Sequence, residues 1–220
     1  RIIANTYMSI NTIYPSDFTK GFYNGEQDIV RLDPGVIAEK EFGSNSTFIG
    51  LNEALIPRAF KSVTSPVYLL RGYSKVMFGI QESGLLSALK RESEDYMFFV
   101  ESDANTSQDS SFFYNTKNES FTVIQRSPGG DFQEYPLSLE DLRTMLLNQI
   151  AKGQPRGMAR KEFIPNLAGN YIIVNNETGE FSGTGQTTDG YKGIEAMPEF
   201  PRVLSEDADN GITYDVKNWF

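Results

Sequence analysis

The 220-residue chain carries a net charge of −9 and contains neither cysteine nor histidine. Disulfides, thiol nucleophiles, iron–sulfur clusters and thiolate zinc sites are excluded, and the commonest general base is missing, so an enzyme here would rely on carboxylates, Lys, Tyr or Ser. The acidic balance, with no Lys/Arg cluster, argues against nucleic acid and anionic membranes as partners, and no run of about 18 apolar residues is present to span a bilayer.

Arg1-Ile2-Ile3-Ala4 is not a signal peptide, so any export segment lies upstream or has been removed. Residues 1–60 read as loop and short strand. Thr6–Asn11 is expected as one strand and Phe48–Leu55 as another, with Pro15, Gly21, Gly25, Pro34, Gly35 and Gly43 breaking longer periodicity between them. Ile56-Pro57-Arg58-Ala59-Phe60 looks like a joint between units, and residues 61–65 are set down as the joint before the complete unit. Ser74 is placed to cap a short helix with Val76, Met77 and Ile80 on one face. Gly84 interrupts it, and Leu85, Leu86 and Leu89 continue the apolar stripe. Tyr96-Met97-Phe98-Phe99-Val100 is a continuous apolar run, the pattern of a strand buried on both faces. Phe121–Ile124 is a further strand and Pro128–Asp131 a turn.

Ser138 opens the best helix, with Asp141 in the capping-box place. Leu139, Leu142, Met145, Leu146 and Ile150 form its expected buried stripe, and Lys152-Gly153 its stop. Tyr171–Val174 reads as a buried strand ending in the turn Asn176-Glu177-Thr178-Gly179, and Ile212–Val216 as the last strand. Helices gather early in this region and strands late, an α+β arrangement.

The beginning of the chain is echoed near its end. Ala4–Asn11 resembles Ala168–Asn175, and Asn45–Leu55 resembles Asn210–Phe220, in apolar and polar class more than in identity. Two matches at nearly one offset suggest tandem units.

The order of elements resembles the fasciclin domain family. The residues that carry this are Ser83-Gly84-Leu85-Leu86-Ser87-Ala88-Leu89, the apolar strand Tyr96–Val100 running into Glu101-Ser102-Asp103, the helix Leu142–Ile150, then Leu167-Ala168-Gly169-Asn170-Tyr171-Ile172-Ile173-Val174, and Asn210–Val216. Asn148-Gln149 stands where that family has a Tyr-His pair, and Glu101-Ser102-Asp103 where it has an Ala-Pro-Thr turn. The resemblance implies an α+β fold, a sandwich or wedge of two sheets flanked by short helices. Residues 66–220 would form a complete domain and residues 1–60 the back part of a preceding repeat.

It also implies a non-enzymatic, exported module for adhesion or assembly. The expected setting is the cell surface, as in bacterial lipoproteins with fasciclin repeats anchored through an upstream segment. Its partners would be cell-surface proteins or glycans, with no cofactor. A glycan-binding component of a polysaccharide-uptake system is the alternative, and a carboxylate-based hydrolase the third reading.

Asp103, Asn105, Ser107 and Asp109 set oxygens at alternate positions, a spacing that can face calcium. An EF-hand loop wants Gly and Glu where this chain has Gln108 and Tyr114, and a solvated loop with Asx turns is the plainer reading. Glu92, Glu94 and Asp95 are an acidic cluster that acid–base work on glycosides could use, and solvated charges otherwise. Gly183-Thr184-Gly185 opens no helix and is no phosphate loop. Phe181 and Tyr191 are candidate sugar platforms, with core packing as the simpler role. Asn45, Asn105, Asn118 and Asn176 each begin an N-glycosylation triplet.

Overall fold

The computed structural model describes residues 1–105, 112–126, 131–185, 194–195, 201–217 and 219–220. The chain divides into two compact units, Arg1–Arg58 and Ala59–Phe220. Residues 61–65, expected as a joint, lie inside the second unit, where Ser62, Val63 and Thr64 are buried.

The first unit begins with helix α1 (Ile2–Thr6) and helix α2 (Pro15–Lys20). Pro15 fixes the first helical φ of α2, and the Asp17 carboxylate accepts a hydrogen bond from the Tyr14 backbone N–H at 2.8 Å. Strands β1 (Phe22–Tyr23) and β2 (Ile29–Val30) form a short antiparallel pair. A longer antiparallel hairpin follows, β3 (Ile37–Phe42) with β4 (Thr47–Leu51). Phe18 and Leu32 are the large apolar side chains this unit buries. Thr6–Asn11, expected as a strand, is not one. Thr6 ends α1, and the carbonyls of Asn5 and Met8 both accept from the Gly25 N–H, at 2.9 and 2.7 Å. Two carbonyls closing on one donor bend the chain and leave no ladder to extend.

The second unit opens with helices α3 (Ser65–Leu69), α4 (Ser74–Glu82) and α5 (Leu86–Leu89). Strand β5 (Tyr96–Glu101) is followed by β6 (Phe112–Asn115), β7 (Ser120–Arg126) and β8 (Phe132–Pro136), which form an antiparallel meander. Helix α6 (Leu139–Asn148) and strands β9 (Ile150–Lys152), β10 (Lys161–Pro165), β11 (Tyr171–Asn175), β12 (Glu180–Gly185), β13 (Ile194–Glu195), β14 (Arg202–Ala208) and β15 (Gly211–Val216) complete it. One sheet has the order β14-β15-β5-β9, with β15 and β5 parallel, and a second has the order β10-β11-β12-β13.

Every residue of β5 is buried, because the strand is sandwiched between two cores. Its alternation assigns them. Tyr96, Phe98 and Val100 point toward the helices, among Val76, Ile80, Leu89, Leu142 and Leu146. Met97 and Phe99 point the other way, among Ile172, Val174, Phe181 and Tyr214 of the second sheet and of β15. The unit is therefore α+β, two sheets facing each other with short helices on the far side of one of them.

Two glycines mark close approaches. A Cβ on Gly211, which has φ +133°, would lie 1.9 Å from the Tyr96 carbonyl oxygen. A Cβ on Gly183 would lie 2.9 Å from that of Phe220, so Gly183 belongs to β12 and seats the last residue of the chain.

Several expectations need correction. Ser74 is the first helical residue of α4 and does not cap it. The cap comes from Asp103, 29 positions later, whose carboxylate accepts from the N–H groups of Ser74 at 2.8 Å and Lys75 at 2.9 Å. Ser138 does cap α6, its hydroxyl accepting from the Asp141 N–H at 3.1 Å. The helix ends at Asn148, however, and Ile150–Lys152 pair with β5 as a strand, so Ile150 reaches the core from a sheet and Lys152-Gly153 stops no helix. Leu139, at the start of the expected stripe, is exposed.

Candidate functional site

The expected oxygen-rich loop begins at the end of β5. Asp103 is committed to the α4 N-terminus, where its charge also faces the positive end of the helix dipole. Asn105 turns its amide nitrogen, not its oxygen, to Glu101 Oε1 at 2.6 Å and to the Lys217 carbonyl. Ser107 and Asp109 lie outside the described residues, and among those described no group of three or more acidic side chains is placed to hold a metal ion.

Beside Asn105 lies a buried ion pair. Lys75 Nζ is 2.6 Å from Glu101 Oε2, and both side chains are out of solvent. Trp219 Nε1–H donates to the same oxygen at 2.6 Å. The ammonium lies 5.8 and 5.6 Å from the ring centroids of Phe112 and Phe113. Such a pair, with aromatic walls and added hydrogen bonds, ties α4, β5 and the chain's last residues together. Its signal in the sequence was a lysine on the apolar side of α4 and a glutamate ending an all-apolar strand.

The other candidates resolve singly. Phe181 is buried, its centroid 5.6 Å from that of Phe99 and 5.5 Å from that of Tyr214, so its ring is core and offers no platform to a sugar. Tyr191 lies outside the described residues. Glu94 pairs with Lys152 at 2.7 Å, and Asp95 accepts from Gln154 at 3.2 Å, both at the surface. Tyr214 and Tyr73 have their phenol pKa values raised, in each case chiefly by burial. The Glu162 carboxylate is held below its ordinary value chiefly by the Arg156 N–H, with the Asn176 amide and the Met158 N–H adding to it, at 2.7, 2.7 and 2.9 Å.

A concave surface belongs to the first unit. It is a groove of about 510 Å³ walled by the segment Thr6–Ile13 on one side and by the β3–β4 hairpin on the other. Ile10 is 95 % exposed, Phe42 75 % and Phe48 62 %, and Tyr7 and Met8 are also exposed. An apolar rim of this kind in one place is the mark of a contact surface, because scattered single side chains are the norm elsewhere.

The hairpin beside the groove has a counterpart in the second unit. Asn45 and Asn210 stand 165 positions apart, each in the turn of its hairpin. The Gly43 N–H closes the first turn onto the Ser46 carbonyl at 2.8 Å, and Ala208 faces Gly211 at the same place in the second. The register of β14–β15 shifts twice, between Val203 and Ser205 and between Ser205 and Ala208, and that of β3–β4 once, between Ile37 and Glu39.

Their surroundings differ. β15 has β14 on one edge and β5 on the other, whereas β4 has β3 alone among the described residues. The amide of Asn210 donates to the carbonyls of Leu89 and Arg91, at 2.7 and 3.0 Å, in the stretch leading into β5. Its oxygen accepts from the Val63 N–H at 2.9 Å. Asn45 is exposed.

No protein-family model matches the chain, and no curated protein does. Among solved structures the chain is similar to a FAS1 domain pair from the insect cell adhesion molecule fasciclin I, at 12 % identity and a TM-score of 0.36, over 84 % of this chain and 58 % of that one. The chain thus spans less than two thirds of the length of that pair, and a likeness at this level transfers no residue role. No helix among the described residues is long and apolar enough to cross a membrane.

Proposed function

We propose that this chain is a non-enzymatic, exported surface module that works by assembly with other proteins, and that residues 1–60 are the back part of a repeat whose complete form is residues 66–220. The observation that carries the reading is the groove of the first unit, whose rim exposes Phe42, Phe48 and Ile10. Exposed apolar surface gathered at one concavity is retained where a partner covers it. The repeat reading is supported by the hairpin β3–β4, which reproduces the turn of β14–β15. Attachment to the surface would come from an upstream lipid-anchored segment.

The test is protease treatment of intact cells that make the protein. Removal of the chain by external protease is the expected result. Full protection in intact cells, with digestion only after lysis, would overturn the surface assignment.

A further inference from the structure

We infer that the outer edge of β4 receives an extended apolar strand, parallel to β4 and paired with Thr47–Leu51, supplied by the preceding part of the repeat to which residues 1–60 belong. This rests on the repeat reading above and names the contact that the first unit makes.

The second hairpin shows what belongs on such an edge. β15 pairs along its whole length with β5, in parallel, from Gly211 against Tyr96 to Val216 against Glu101. The Tyr96 N–H donates to the Asn210 carbonyl at 2.9 Å, so alternation gives Ile212, Tyr214 and Val216 the backbone groups that face β5. Counterparts 165 positions earlier are Thr47, Ile49 and Leu51.

The first hairpin assigns the same residues independently. Gly43 bonds to Ser46, so Ser46, Phe48 and Gly50 use their backbone groups on β3, and Thr47, Ile49 and Leu51 present theirs outward. Two local patterns thus agree on which amides await a partner. An edge of this kind is a template for strand addition.

Chemistry selects the occupant. Thr47, Ile49 and Leu51 also line the groove. A strand laid there covers Ile49 and Leu51, the counterparts of Tyr214 and Val216, on which Met97 and Phe99 of β5 pack, so a run such as Tyr96–Val100 supplies the matching apolar side chains. The corresponding run of the first repeat would fall 165 positions before Tyr96, upstream of Arg1. Asn45 would then do for the chain entering that strand what Asn210 does for Leu89 and Arg91. Ser46, standing where the second hairpin has Gly211, sets the limit of pairing. A Cβ at Gly211 collides with Tyr96, so the incoming strand pairs from Thr47 onward.

The experiment uses the full chain, isotope-labelled, and a synthetic peptide of the β5 sequence, Glu94–Asp103, with added lysines for solubility. Binding is followed by peptide fluorescence anisotropy and by amide hydrogen exchange. Saturable binding with new protection at the Thr47, Ile49 and Leu51 amides, and none at β15, is expected. A peptide N-methylated at the Phe98 and Val100 amides, which by the Tyr96 pattern face the partner, should bind at least about tenfold more weakly, the equivalent of one hydrogen bond. Ile49→Pro removes one outward N–H and leaves the bonds to β3, so it should weaken binding similarly while the Ser46 turn stays closed.

Equal binding by the methylated peptide would overturn the strand-addition geometry. No saturable binding, or concentration-dependent self-association that protects the same amides without peptide, would overturn the assigned occupant. Failure here with protease removal intact would leave the surface role standing, and the reverse outcome would leave the strand site standing.

Discussion

Asn210 and Asn45 hold the same turn position in two matching hairpins, and only Asn210, 2 % exposed, is enclosed by the chain it binds. Its side chain satisfies the Leu89 and Arg91 carbonyls and the Val63 N–H. The hairpin turn is thereby locked to both the start of the second unit and the approach to β5. The same residue type thus does different work in the two hairpins, buried and hydrogen-bonded in one and exposed in the other.

Asn210→Ala should cost about 2–4 kcal/mol, because it leaves buried backbone groups without partners. Asn45→Ala should change stability by no more than about 0.5 kcal/mol, as exposed substitutions do. Trp219 is the only tryptophan and belongs to the second unit, so urea unfolding followed by its fluorescence reads Asn210→Ala, while amide hydrogen exchange of the β3–β4 hairpin reads Asn45→Ala. Equal midpoints for Asn210→Ala and the unaltered chain would remove the locking role.

The Lys75–Glu101 pair is expected to be strongly coupled. Lys75→Met removes the ammonium 2.6 Å from the buried Glu101 carboxylate, at a cost of about 3–5 kcal/mol. Replacing both, as Lys75→Met with Glu101→Gln, should cost less than the sum of the two single changes, since the second substitution removes the charge that the first strands. The double-mutant cycle by urea unfolding checks this. Additive costs would mean that the two groups do not sense each other, whatever their 2.6 Å separation.

These two relationships also mark what the sequence could and could not disclose. β5, α6, β11 and β15 were legible because each buries a run or stripe whose period is local. The Ser138 cap was legible because donor and acceptor are three residues apart. Asp103 was read as a loop oxygen because its partners, the Ser74 and Lys75 amides, sit far back in the chain. Ile150 fitted the helix stripe by spacing, and only its pairing with Phe98 makes it a strand residue. β3 and β14, each carrying several charges, have no period to betray them and exist because a neighbour supplies their ladder. The groove was illegible for a related reason: it is framed by Thr6–Ile13 and the β3–β4 hairpin, which the chain brings together without local pattern. The echo from Asn45 to Asn210 did point to the hairpin pair, while its earlier half set a helix end and the strandless segment 7–11 against the lead into β11 and β11 itself, which they do not match.

Gly211→Ala should be among the most damaging single changes in the second unit. The added carbon would sit 1.9 Å from the Tyr96 oxygen, on a backbone with φ +133° that side chains avoid. Relief requires β5 and β15 to separate at their first pair, and a loss of more than about 4 kcal/mol is expected. Ser46→Gly, its counterpart, should be close to neutral in the chain alone. Thermal unfolding monitored at Trp219 reads Gly211→Ala, and amide hydrogen exchange of the β3–β4 hairpin reads Ser46→Gly; a Gly211→Ala chain within about 1 kcal/mol of the parent would show that the parallel pairing begins elsewhere.

Glu162 predicts an acid-sensitive loop. Its carboxylate accepts the Arg156 and Met158 N–H groups and the Asn176 amide, and the first of these is the main cause of a folded pKa below the ordinary 4.5. A lowered folded value means that the unfolded chain binds the proton first as pH falls. The stabilisation is therefore complete above the ordinary value, declines as pH drops through the folded value, and is absent below both. Because the group is at the surface, the effect belongs to the 156–162 loop and not to the whole unit. Amide proton shifts of Arg156 and Met158, followed from pH about 6 to about 3, should move together with a midpoint below the ordinary glutamate range. In Glu162→Gln they should start displaced and stay flat. Shifts that titrate at the ordinary value, or that persist unchanged in Glu162→Gln, would mean that the carboxylate does not hold the loop.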